Sequence, residues 1–165
     1  MNSIDFSVQM KTIYLFEFLY VNSYSGFRAV INYGFSIIAI VALLFGYGST
    51  PLSLIALIVL ASLFTIIEPG MLFFKAFRQV KLNPAFKEPI HYSFSEEKFT
   101  VSQNDSSQDA PWEMVLLAKE TMKSIILFTG NNNAIILPKE SIGDKLEAFK
   151  ELLKKVRPEE AARLK

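Results

Sequence analysis

Glu68-Pro69 is the pair in this chain best suited to chemistry. It closes a stretch, residues 29 to 67, that holds no Asp, Glu, Lys, Arg or His. An acid inside a membrane is a functional-site candidate by default, and a proline beside it can open the helix backbone where an ion could bind. The competing reading is interfacial, with Glu68 near the cytoplasmic end of a span, in reach of water or of the cations that follow. Those cations are Lys75, Arg78, Lys81 and Lys87, and residues 71 to 87 contain no acid. Met71, Phe73, Phe74 and Phe77 are interleaved with them. A basic and aromatic segment of this kind anchors topology or meets lipid headgroups, at about 1 kcal/mol per cation near an anionic leaflet.

Other chemistries are poorly supplied. His91 is the only histidine and sits on the polar side of a predicted strand, the place of a surface residue more than of a ligand. Cysteine is absent, which excludes disulfides, thiolate nucleophiles and Cys-ligated zinc. No Ser-His-Asp set, zinc motif or phosphate-cradling glycine loop is present. We therefore expect no catalytic residue, cofactor or metal site, and no enzyme. Net charge is only +1, so no global field points to nucleic acid.

The elements that position these residues begin with the uncharged run. Crossing a hydrocarbon layer about 30 Å thick takes roughly 20 apolar residues, so the run suits two short spans and exceeds one. Gly46-Tyr47-Gly48-Ser49-Thr50-Pro51 interrupts it once. The first span reads 29 to 47 and the second begins at Pro51, where a missing N–H costs nothing in a first helical turn. From Pro51 to Ile67 is only about 25 Å of helix. Either the bilayer thins there or the span continues through Pro69-Gly70 into residues 71 to 74. Arg28 abuts the first span, the four stem cations follow the second, and the connecting turn is uncharged, which puts both termini in the cytoplasm.

Residues 1 to 28 crowd Met10, Ile13, Tyr14, Leu15, Phe16, Phe18, Leu19 and Tyr20 around Lys11 and Glu17. This composition suits an interfacial helix, or alternatively an extra core element of the cytosolic domain, before Asn22-Ser23-Tyr24-Ser25-Gly26 breaks it. After the stem the period becomes two. Ile90, Tyr92 and Phe94, then Phe99 and Val101, predict a strand hairpin turning at Ser95 to Lys98. Residues 103 to 110 read as a loop, 112 to 117 as a third strand, 124 to 129 as a fourth and 134 to 137 as a fifth. Gly130-Asn131-Asn132-Asn133 reads as the tight connection before the last strand. Ser141-Ile142-Gly143-Asp144 has the capping-box form, and Leu146, Phe149, Leu152, Leu153 and Val156 then draw one apolar stripe ending at Pro158. Beyond it, a frayed tail is expected.

This order of parts, with Trp112, Val115, Lys119-Glu120-Thr121, Leu127-Phe128 and Ile135-Ile136-Leu137-Pro138-Lys139, resembles the YcxB-like family of bacterial two-span membrane proteins. The resemblance implies a cytosolic domain similar to a pleckstrin-homology fold, a curved antiparallel sheet closed by a C-terminal helix, and carries no catalytic residues with it. The fold class expected is a membrane α-helical hairpin plus a cytosolic α+β domain. Its division is an N-terminal interfacial segment (1–28), a transmembrane hairpin (29–74), a basic stem (75–88) and a cytosolic domain (89–165). Trp112 reads as a core anchor, and Lys119, Lys123 and Lys139, mixed with Glu113, Glu120 and Glu140, as a solvated face.

Two functions follow as expectations. One is a cell-membrane interaction module that binds a protein or lipid partner at the inner face. The other is a small oligomeric transporter or channel subunit, with Asn32, Ser36, Ser53, Ser62 and Thr65 as its polar interior and Gly34 and Ala39 as close-approach surfaces for a homo-oligomer.

Overall fold

The computed structural model describes residues 3–130, 133–162 and 164. Its first element is a strand, not part of an interfacial helix. Ile4–Val8 (β1) alternates Ile4, Phe6 and Val8 with Asp5 and Ser7, and pairs antiparallel with Ile90–Phe94 (β2) in the register Phe6 opposite Tyr92. The helix in this region is Thr12–Ser23 (α1). Gly26, at φ 60, opens the turn into Phe27–Leu44 (α2), a conformation that favours glycine.

After a turn at Gly46 (φ 76), Thr50 and Ser53 form a reciprocal cap in which each satisfies the other's backbone N–H. Pro51–Ser62 (α3) follows, with the proline in its first turn, then a π segment at Leu63–Ile67 and Glu68–Leu82 (α4). Residues 51 to 82 are thus one continuous helical rod, as the longer of the two span readings requires. Two helical stretches, Phe27–Leu44 and Pro51–Leu82, are long and apolar enough to cross a membrane, and only 11% and 0% of their most apolar windows are buried. Phe27, Leu44, Leu52 and Ile66 are each at least 70% exposed. Among the described residues nothing covers these side chains.

The strands beyond Asn83, together with β1, build two antiparallel sheets. Strands β1, β2, Lys98–Gln103 (β3) and Ser106–Pro111 (β4) form the first, in that order. Leu117–Glu120 (β5), Ser124–Phe128 (β6) and Ala134–Pro138 (β7) form the second. Two sequence expectations are corrected here and a third is left untested. Residues 106 to 111 are an edge strand and not loop, held by Thr100 Oγ1 donating to Asp109 (2.7 Å) and by the Ser102–Ser107 hydroxyl pair (2.9 Å). Its polar composition is what an exposed edge demands. Trp112–Met114 is a 3-10 turn ahead of β5, and the indole N–H donates to the Ser95 carbonyl at 2.8 Å. Asn131 and Asn132, half of the expected β6–β7 connection, lie outside the described residues.

The helical end also differs. Gly143, at φ 62, ends a short helix Lys139–Ile142 (α5), so the capping box expected at Ser141 is not used. The main helix is Leu146–Val156 (α6). The tail is not frayed over its described part. Ala161 and Leu164 are buried in the core, and the Ala118 N–H donates to the Glu160 carbonyl at 3.0 Å.

The core lies between the sheets. Phe94 is fully buried, with ring centroids of Phe6, Phe99, Trp112 and Phe149 all within 5.7 Å. Strand β6 explains a feature of the sequence that alternation does not. Ser124-Ile125-Ile126-Leu127 is buried throughout because both faces of the second sheet are covered. Ile125 and Leu127 enter the main core, while Ile126 and Ile136 meet Met10, Tyr14, Leu15 and Phe18 together with Ala76 of α4. Helix α1 is therefore apolar on more than one side, sandwiched between the rod and the sheet. Glu120 is 10% exposed and joins Lys139 (2.6 Å) and Lys150 (3.2 Å) across the end of β5.

Three exposed ion pairs join separate elements, Lys98 to Asp109, Lys11 to Glu140 and Lys155 to Glu96. The Lys11 hydrogen bond holds the Glu140 carboxyl below its ordinary value. A carboxyl depressed in the folded chain contributes at neutral pH and loses that contribution as pH falls below the ordinary carboxylate range. The protection factors of amides in the first turn of α1, taken relative to intrinsic exchange at each pH, should therefore fall on acidification through that window, and Glu140→Gln should flatten that fall.

Candidate functional site

Two places combine geometry with chemistry, and both lie on the rod from residue 51 to 82. The first begins with a backbone defect. Pro69 has no N–H, and the ladder around it shifts, with the Glu68 N–H bonding the Leu63 carbonyl, five residues back. The Phe64 carbonyl is thereby stripped of partners. Its α-helical donor, Glu68, is engaged one residue earlier, and its π-helical donor would be Pro69. A side chain from another element fills the gap, since the Tyr24 hydroxyl lies 2.7 Å from the Phe64 oxygen.

The same hydroxyl oxygen is 2.9 Å from Glu68 Oε2. Asn32 Nδ2 of α2 approaches that carboxylate oxygen at 3.5 Å, a long contact. Tyr20 and Tyr33 share a 2.5 Å hydroxyl contact alongside, and Tyr24 stacks on Tyr20 with ring centroids 4.6 Å apart. Three tyrosines, an asparagine and one carboxylate thus gather where the end of α1 meets the helical hairpin. Among the described residues Glu68 is in no ion pair, so the juxtamembrane cations do not neutralise it. Of this group, sequence reasoning singled out only Glu68, and Asn32 as an ordinary polar residue. The tyrosines carried no local signal beyond their type.

The second place is the outer face of α4. Met71, Phe74, Lys75, Arg78, Gln79 and Leu82 recur at spacings of three and four and line an open groove of about 610 Å³. The opposite face is spent on α1, where Phe16 meets Phe73 edge-on at 5.7 Å and Ala76 is fully buried. The structure brings Lys75 and Arg78 to this groove. It places Lys81 to one side, with its ammonium 5.7 Å from the Phe77 ring, and Lys87 beyond the helix end after the 3-10 turn Pro84–Phe86. None of the four is in an ion pair with a described carboxylate.

The remaining candidates are structural. His91 is exposed, with Nδ1 2.6 Å from the Ser7 hydroxyl across the β1–β2 pair. Among the described residues no group of three or more His, Asp or Glu side chains could hold a metal. Trp112 is in the core, 4% exposed. Lys139 is paired with Glu120, and at 25% and 10% exposure this pair is not part of the solvated face expected from the sequence. In the hairpin, Ala39 and Ser36 are buried, whereas Gly34 has open space beside it and lines a shallow apolar dent.

Neither a curated protein nor a solved structure matches the chain. A family does. Over residues 94–153, from Phe94 at the end of β2 to Leu153 in α6, the chain matches the family described as YcxB-like protein, the one its motifs resemble.

Proposed function

We propose that this protein is a membrane-anchored interaction module. The two apolar helices sit in the cell membrane with both chain ends cytoplasmic, and the sheet domain, a pleckstrin-homology-like fold closed by α6, binds a protein or lipid partner at the inner face. One observation carries the reading. The second sheet buries Ile126 and Ile136 against α1 and α4, so the domain is fastened to the rod that leaves the membrane and cannot swing away from the bilayer. The two antiparallel sheets around one core, with α6 across it, support the pleckstrin-homology-like assignment.

In this geometry the groove of α4 lies at headgroup level, since about 20 residues from Pro51 use up the hydrocarbon thickness and leave the rest of the rod beyond it. Lys75 and Arg78, unpaired among the described residues and beside apolar walls, suit an anionic headgroup with its acyl chain. Replacing both by alanine should remove about 2 kcal/mol of anionic-lipid preference, on the order of tenfold or more in retention. The check is native mass spectrometry of the full chain from nanodiscs of mixed anionic and zwitterionic lipid. Unchanged selectivity would count against lipid as the partner, and in-cell crosslinking of the full-length protein would then look for a protein in its place.

The transporter reading has less to stand on. Ser62 donates to the Ile58 carbonyl at 2.7 Å, Thr65 to Ala61 at 2.8 Å and Ser36 to Leu60 at 3.4 Å, so these hydroxyls are spent on the hairpin's own backbone.

A further inference from the structure

Outside residues 27–82, the exposed large apolar side chains among the described residues are Met114, Leu116 and Met122, and all three lie on the segment that carries β5. Leu116 and Met122 border a groove between this segment and α1. Its upper part, about 430 Å³, is walled by Ile13, Phe16, Tyr20 and Val21 of α1 and by Met122. Its lower part, about 360 Å³, runs between Val21 and Leu116 and ends at Ser25 and Gly26. Val21 and Lys119 line both parts, so the two adjoin.

The groove opens where the chain enters its first apolar helix. Helix α1 descends toward the hairpin, with Phe16 against Phe73 of α4 and the Tyr24 hydroxyl at Phe64 and Glu68. Gly26, at the foot of the groove, directly precedes α2. From Val21 the groove climbs to Ile13, roughly 12 Å along α1. Two cations stand beside it. Lys119 and Lys123 are in no ion pair with a described carboxylate. The carboxylates in the same wall are engaged elsewhere. Glu120 joins Lys139 and Lys150, and Glu17 accepts the Lys123 backbone N–H on Oε1 at 3.1 Å while its Oε2 is shut off from solvent.

We propose that this groove holds an anionic phospholipid of the bilayer, with its phosphate on Lys119 and Lys123 and one acyl chain running down past Val21 and Leu116 to the base of the hairpin. A soluble anion would use the lysines and leave the apolar walls bare. An apolar segment would use the walls and leave the lysines unmatched. A lipid meets both, and it lies the right way round, head toward the cytosol and chain toward the membrane. Each part of the groove is of the size that small ligands occupy. Occupancy fastens β5, an edge strand of the second sheet, to the bilayer. The proposal rests on the membrane-anchored reading and adds a second lipid surface to it, since the groove shares no residue with the outer face of α4.

The test uses the full chain in vesicles doped with phosphatidylglycerol that carries a photoactivatable diazirine in its acyl chain, or with the phosphatidylcholine counterpart. After irradiation the adducts are mapped by peptide mass spectrometry. Adducts within residues 27–67 report the membrane spans themselves. With the anionic lipid, adducts should also appear within residues 13–21 and 116–123. Lys119→Ala combined with Lys123→Ala should cut these about tenfold or more and leave the hairpin adducts unchanged. Val21→Trp, which fills the groove where its two parts meet, should remove them with both lysines in place. A labelled hairpin beside an unlabelled groove overturns the proposal alone and makes a protein the occupant to seek. An unlabelled hairpin overturns it together with the membrane-anchored reading. Groove adducts that are as abundant with the choline lipid, or undiminished in the double lysine variant, overturn it as well.

Discussion

Residues 84–165 produced without the N-terminal arm should fail to fold into a cooperative domain, although they contain the whole family-matched stretch. Strand β1 is half of the pairing of β2, and it delivers Val8, fully buried, and Phe6, which stacks on Phe94 and meets Phe149 edge-on. Without it a central strand becomes an edge and the main core opens at one side. A domain of this size has little stability to spare, on the order of 5 to 10 kcal/mol, and a small core loses a large share of its burial with one strand. Circular dichroism and proton NMR should show a collapsed or disordered fragment. Joining residues 3–9 to residue 89 through a flexible linker should restore dispersed spectra. A well-folded fragment without β1 would show that the arm is an accessory.

The second large effect is at the centre of that core. Phe94→Ala should destabilise the protein by about 3 to 5 kcal/mol, the range for removing a buried phenylalanine when the cavity only partly collapses. Four aromatic rings frame this position, and rigid rings relax poorly into a void. The measurement is denaturant unfolding of the full-length protein in detergent, followed by Trp112 fluorescence, since the indole lies 5.7 Å from the deleted ring. Gln108→Ala, on the exposed edge strand, is the contrasting control and should change stability little. Similar losses for both would mean that the aromatic cluster is not the main source of stability.

The sequence is legible where a pattern is local. Residues 29 to 67 declare themselves by lacking charge, β2 and β3 by strict alternation, and α6 by one stripe of large apolar residues. The Ile-Asp-Phe-Ser-Val alternation of β1 is equally regular, but its partner lies more than eighty residues away, beyond the hairpin, and composition of the neighbouring α1 draws the eye to helix instead. The polar strand β4 is hidden for a physical reason, because an edge strand whose side chains face water needs no apolar face. Gly143 defeats the capping box by breaking the helix between its two members. At the candidate site, Pro69 signals that an N–H is missing. That the orphaned carbonyl is Phe64, and that its donor is Tyr24, follows only from the ladder shift and the tertiary approach of α1.

A membrane-anchored module of the kind proposed requires one arrangement, a single sheet domain interrupted by the apolar hairpin, with β1 and the later strands on the same side of the bilayer. Cysteine is absent from the chain, so single cysteines can be introduced as reporters without background. Ser3→Cys, Ser49→Cys and Ser107→Cys place thiols at exposed positions ahead of β1, in the hairpin turn and in β4. In intact cells a membrane-impermeant maleimide should label position 49 alone, with positions 3 and 107 labelled only after permeabilisation. Labelling of position 3 and position 107 from opposite sides of the membrane would contradict the arrangement, as would a position 49 that reacts only together with them.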